Sequence, residues 1–182
     1  MKKNMIIIVP IVAIVLLLIG GTYAWFTWSG SQNSNIVLTI GDFAGYVKSS
    51  TNISVTNLAP VLDYKSTTAY SDIVISGTVD TNIYSGAKTT IALNITSNTF
   101  SSSYSDFKYA VYNKTSGTLV SNGVLNGKTG SITLYTTTST SSSLNINYTV
   151  YIYIDGTNSN STDYMGKKLA GTLSVTSVGI SK

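Results

Sequence analysis

From Ile146 to Ile154 the chain alternates strictly. Ile146, Tyr148, Val150, Ile152 and Ile154 are interleaved with Asn147, Thr149, Tyr151 and Tyr153. Only an extended chain puts residues i, i+2 and i+4 on one face, so this segment reads as a strand with one buried and one wet face. The same period returns at Ile91, Leu93 and Ile95, at Ile132 and Leu134, and at Leu173 and Val175. No segment after residue 30 carries a helical period. Strands are predicted at 35–41, 51–57, 71–79, 88–97, 106–113, 117–121, 129–136, 144–155 and 168–178. The predicted turns are Ser85-Gly86, Ser116-Gly117, Asn122-Gly123, Asn126-Gly127 and Asp155-Gly156. Short strands at this spacing, rich in Thr, Val, Ile and Tyr, predict an all-β fold. The expected form is an antiparallel β-sandwich of jelly-roll type over residues 35–182, preceded by a hydrophobic leader helix. Thr136–Ser143, eight consecutive hydroxyl residues, is expected to be a solvated loop, with a glycosylated spacer as the alternative.

The residue inventory excludes much chemistry. The 182 residues include no His, Cys, Glu or Arg; the 11 basic residues are all Lys and the 7 acidic ones all Asp. The commonest transition-metal ligands are therefore missing, together with the usual general base and the thiolate nucleophile. A Ser nucleophile would have only Lys as a base, and no local pattern supports that pair. The expectation is a protein that is not an enzyme and has no cofactor. A net charge of +4, with no Arg and no basic cluster, does not make a nucleic-acid footprint.

Lys2 and Lys3 open the chain, and Met5–Ile19 follows for 15 residues without a charge. The small residues Gly20, Gly21, Thr22 and Ala24 come next. This is the layout of a signal peptide, with Thr22 at −3 and Ala24 at −1 for cleavage before Trp25. Fifteen helical residues span only about 22 Å of a ~30 Å hydrocarbon core. The alternative is an uncut anchor in which Tyr23, Trp25, Phe26 and Trp28 form an interfacial belt. The chain thus divides into a leader or membrane segment (1–24), a donor segment or tether (25–34) and the sandwich (35–182). The predicted location is secreted, in an extracellular matrix or at the cell surface, with transient membrane attachment through the leader.

The loop from Asp155 to Asp163 offers oxygen ligands at Asp155, Asn158, Asn160 and Asp163. Its spacing is not that of an EF-hand, so a polar hairpin loop is preferred to a calcium site. Sequons at Asn52, Asn94, Asn113, Asn147 and Asn160 follow from a composition full of Asn, Ser and Thr. Tyr109, Tyr112, Tyr148, Tyr151 and Tyr153 fall on predicted strands and read mainly as sheet packing. The second reading is carbohydrate stacking.

Leu18–Trp28, LIGGTYAWFTW, resembles the leader of the TasA/camelysin family, secreted β-sandwich proteins of Gram-positive bacterial matrices. The family pattern is an apolar run followed by Gly-Gly-Thr-aromatic-Ala-x-Phe, here Gly20, Gly21, Thr22, Tyr23, Ala24 and Phe26. The family usually carries an acidic residue or Asn two places after the Phe, where this chain has Trp28. Val55-Thr-Asn-Leu-Ala-Pro60 resembles the family's Asn-Leu-x-Pro turn. Tyr151-Ile-Tyr-Ile-Asp-Gly156, with Met165-Gly-Lys167, resembles its C-terminal end. The resemblance implies leader removal by a dedicated signal peptidase and assembly into an extracellular fibre, with self as the main partner. A matrix polysaccharide or an accessory matrix protein is a further candidate partner. Some family members are labelled metallopeptidases; a chain without His, Glu or Cys has no ligands for a conventional zinc site.

In such a fibre the freed N-terminus completes the sheet of the next subunit. An incoming strand satisfies an open edge and propagates head to tail. The expected donor segment includes Trp25, Phe26, Trp28, Ile36, Leu38 and Ile40. Alternatively, residues 35–41 are the first strand of their own sandwich and 25–34 a tether. A membrane-anchored adhesin or glycan-binding module is the other functional reading.

Overall fold

A computed structural model describes residues 34–43, 45–157 and 164–182. The leader, its cleavage positions Thr22, Ala24 and Trp25, and the donor residues Phe26 and Trp28 lie outside the described residues. So do Asn158, Asn160 and Asp163.

Among the described residues ten strands follow in order: β1 (Ile36–Phe43), β2 (Tyr46–Thr56), β3 (Pro60–Val61), β4 (Tyr70–Val79), β5 (Tyr84–Asn98), β6 (Phe107–Asn113), β7 (Thr118–Val124), β8 (Gly130–Ser139), β9 (Ser143–Asp155) and β10 (Lys168–Ser181). They form two sheets. One has the order β1-β4-β9-β6-β7, with β3 also paired to β9; the other has the order β2-β10-β5-β8. Apolar side chains from both sheets meet in one core, including Ile73, Ile75, Val150 and Ile152 from the first and Ile91, Leu93, Leu173 and Val175 from the second. Burial follows the alternation of the sequence along β4, β9 and β10, except that Thr149, on the polar phase of β9, is also buried and donates to Asp72 Oδ1 at 2.6 Å. Stacked Phe100 and Phe107, with ring centroids 3.6 Å apart, close one end of this core.

The second sheet is antiparallel throughout, but the first is mixed, which corrects the purely antiparallel expectation. β1 runs parallel to β4, and β3 runs parallel to β9. Alternation shows which face of a strand is buried, not the direction of its neighbour, so this could not be read from the pattern. β3 takes the side of β9 beyond the start of β4: Ile152 N–H donates to the Ala69 carbonyl (2.9 Å), and Gly156 N–H to the Val61 carbonyl (2.9 Å).

Three local expectations are also corrected. Ser85-Gly86 and Asn122-Gly123 lie inside β5 and β7, not in turns. Gly123 is there because a Cβ would sit 2.7 Å from the Tyr109 ring. Five of the eight residues of the hydroxyl run are strand: Thr136, Thr137, Thr138 and Ser139 pair with Thr90, Thr89, Lys88 and Ala87, and Ser143 opens β9 opposite Thr78. Thr is a good strand former, and only residues 140–142 join β8 to β9. The Asn-Leu-x-Pro stretch ends β2. Asn57 adopts φ 53°, which Asn tolerates better than most residues, and Leu58 turns into the core.

Candidate functional site

β1 is the edge strand of the first sheet, and its pairing with β4 is Ile36↔Ile73, Val37↔Val74, Leu38↔Ile75 and Thr39↔Ser76. Ile36 is buried in the core and Leu38 packs against it half-buried, while Val37 stands 69% exposed on the outer face. A register shift follows between Thr39 and Asp42. This bulge changes parity, so Phe43 rather than an even-numbered residue enters the core, at 1% exposure. The backbone of Ile40 belongs to β1; its side chain lies outside the described residues. Sequence reasoning missed Phe43 because a period-two pattern does not register a bulge.

The start of β1 is held to both sheets. The Ser34 hydroxyl donates to the Asn52 carbonyl of β2 (2.9 Å), and the Ser34 carbonyl accepts from the Ser71 hydroxyl of β4. The Asp72 amide donates to Asn35 Oδ1 at 3.2 Å. Beside this entry lies a small apolar cleft lined by Ile53, Val55, Ala69, Tyr70, Val150 and Ile152. At its other end β1 stops at Phe43, and β2 begins at Tyr46 in the opposite sheet. Gly45 makes this crossover at φ +85°, where a Cβ would lie 2.1 Å from Tyr84 Oη. Its carbonyl accepts from Gly179 N–H at 2.7 Å. Glycine is needed here both for the left-handed backbone and for the close approach.

The outer face of the first sheet carries aromatic side chains. Tyr70 pairs with Tyr151 across β4 and β9, and Lys108 with Tyr153 across β9 and β6. Tyr64, in a short 3₁₀ turn capped by Asp63, packs on Tyr151 and Tyr153 with centroids 5.4 and 6.0 Å away. Lys65 Nζ sits 4.1 Å from the centroid of Tyr112, a cation–π contact. Of the strand tyrosines singled out from sequence, Tyr109 and Tyr148 face the core and are buried, while Tyr112, Tyr151 and Tyr153 are half-buried on this outer face.

Next to Tyr153 the face opens into a polar pocket of about 240 Å³. Its walls include Ser103, Tyr104, Asp106, Lys108, Asp155 and Thr157. Lys108 Nζ lies 2.7 Å from Asp155 Oδ2. The Thr157 hydroxyl and amide donate to Asp155 Oδ1 at 2.6 and 3.1 Å. Asp106 accepts from the Tyr164 hydroxyl. Lys108 and Asp155 are 47 residues apart, so no local motif announces this pair. Asp155, the described member of the candidate calcium loop, thus already has an ammonium and a hydroxyl as partners.

The Lys108 ammonium, then the Thr157 hydroxyl and amide, hold the Asp155 carboxyl down at about 2, against an ordinary 3.8. The folded value is the lower one, so the stabilisation is present above about pH 4 and is lost as pH falls through about 2. The Asp155 side chain is a quarter exposed, which limits the pair to about 1 kcal/mol. Asp155→Asn is expected to lower stability by that amount at pH 7 and to flatten the acid limb of stability below pH 4. Urea unfolding between pH 2 and 7 checks this; a parallel offset at every pH would reject the assignment.

Among the described residues, no helix is long and apolar enough to cross a membrane. No protein-family model matches the chain, and none of the curated proteins compared with it matches either.

Proposed function

We propose that this protein is a secreted structural subunit of a matrix or surface fibre, polymerising head to tail by donating β1, and the segment before it, to the next subunit. In this reading the chain is not an enzyme, and a signal peptidase frees its N-terminus at Trp25. The similarity of the leader to the TasA/camelysin pattern supports it. The sandwich is read as a jelly roll, on the support of its strand orders: β2-β10-β5-β8 faces β4-β9-β6-β7, and β1 is the addition at the edge.

The observation that carries the reading is the placement of β1. It is the first described strand, it lies at a sheet edge, and it fills the core with Ile36 and Phe43. A strand so placed can be exchanged between identical copies at little cost, because the neighbour supplies the same partner, β4. The hinge between β1 and β2 is only two residues long, and a short hinge favours exchange over folding back. Exchange of β1 alone creates no new contact, so net association must come from residues ahead of it. Trp25, Phe26 and Trp28 are the residues suited to that task, since large aromatic side chains bury the most apolar surface per residue.

The test is to purify the protein from its native surface, sequence its N-terminus and image it by negative stain. A start at Trp25 in long fibres is the expected result. An intact leader on membrane-bound monomers would overturn the reading in favour of an anchored binding module.

A further inference from the structure

We infer that the polar pocket at Tyr104, together with the tyrosine strip beside it, binds one strand of a neutral polysaccharide. The pocket presents hydrogen-bonding groups of both kinds: the Lys108 ammonium, which keeps protons beyond the one given to Asp155, and the Ser103 hydroxyl donate, while the Thr157 hydroxyl, whose proton goes to Asp155, and the remaining lone pairs of the Asp106 and Asp155 carboxylates accept. A sugar hydroxyl both donates and accepts, and neighbouring hydroxyls on one ring match such a mixed wall. Two carboxylates against one ammonium disfavour an anionic ligand. A metal cation is disfavoured in turn, because Lys108 already occupies Asp155 and the Tyr164 hydroxyl already donates to Asp106.

The aromatic component is placed for the apolar face of a sugar ring. Tyr104 stands at the pocket with 44% of its surface exposed, and its ring is braced by Tyr164 at 6.2 Å and 58°. From Lys108, also in the lining, the face continues to Tyr153, its register partner on β9, and on to Tyr64, Tyr151 and Tyr70. One sugar would fill the pocket, and the strip would extend the contact to the units that follow. Hence the ligand class is a polymer and not a monosaccharide. Of the other charges on this face, Lys114 and Asp72 pair with each other at 3.3 Å, and Lys65 over Tyr112 is offset by Asp63 at the cap of the same turn, which leaves the face close to neutral. None of these groups belongs to β1, so the site is separate from the proposed polymerisation edge.

The experiment is native affinity electrophoresis of the full secreted protein, taken as monomer, in gels cast with hydroxyethylcellulose, soluble starch or polygalacturonate. At least one neutral polymer is expected to retard it, and polygalacturonate is not. Tyr104→Ala is expected to weaken the retardation about tenfold. Tyr46→Ala, which removes an exposed tyrosine of β2 on the other sheet, is expected to leave it unchanged. Circular dichroism checks that both variants are folded, and Tyr153→Ala provides a second disruption on the strip. The inference is overturned if neither neutral polymer retards the protein, if polygalacturonate alone does, or if Tyr104→Ala and Tyr153→Ala both behave as wild type. Fibre formation by Tyr104→Ala, scored by electron microscopy, is expected to be normal, so failure of sugar binding and failure of assembly are read separately.

Discussion

Oxidised Val37→Cys/Val74→Cys protein is expected to form no fibres, and reduction is expected to restore them. The two positions are register partners on β1 and β4, and Val37 is on the exposed outer face. Neighbouring strands lie about 4.8 Å apart, within the span of a disulfide. The wild-type chain has no cysteine, so any crosslink reports this pair alone. The bond would close a loop from 37 to 74, stabilising the monomer by about 4 kcal/mol and holding β1 in its own sheet. Mixing the two single variants gives the complementary result. Val37→Cys subunits and Val74→Cys subunits, assembled together and then oxidised, are expected to yield covalent dimers on a non-reducing gel. Normal fibres from a double variant whose internal disulfide is verified by mass spectrometry would eliminate β1 exchange.

The second large effect concerns the aromatic residues ahead of β1. Phe26→Ala/Trp28→Ala is expected to block assembly while leaving the unfolding midpoint of the monomer unchanged. Exchange of β1 is nearly neutral, so the driving force rests on what the preceding segment buries in a neighbour. Loss of two buried aromatic anchors removes about 2 kcal/mol or more each, which weakens association about a thousandfold. Sedimentation and negative stain of the mature protein measure it. Fibres at wild-type concentration would show that residues 25–34 are a tether, leaving polymerisation, if it occurs, to other surfaces.

Much of the fold is legible in the chain. The alternation at Ile91–Ile95, Ile146–Ile154 and Leu173–Val175 specifies strands and their buried faces, and those faces form the core. The errors cluster where a second requirement competes with the local signal. Gly86 and Gly123 look like turn residues, yet they are glycines inside strands because backbone or a tyrosine ring crowds them. The hydroxyl run looks like a loop, yet Thr136–Ser139 continue β8 because β5 offers partners. Of the two surfaces, the strand at 35–41 was legible through Ile36 and Leu38, but its place at a sheet edge was not. The pocket was not, since Tyr104, Lys108 and Asp155 belong to separate segments without shared spacing.

By itself, then, the sequence determined that the body after residue 34 is built of strands, which side of most strands is buried, and which catalytic and metal chemistries lack their residues. These properties depend on neighbours along the chain and on composition. The tertiary structure alone decided that β1 lies parallel to β4 and next to it, that a bulge sends Phe43 inward, and that Lys108 meets Asp155 beside Tyr104. The physical reason is that strand pairing satisfies backbone groups common to every residue. Partner and direction are therefore settled by how the whole set of strands closes over one core.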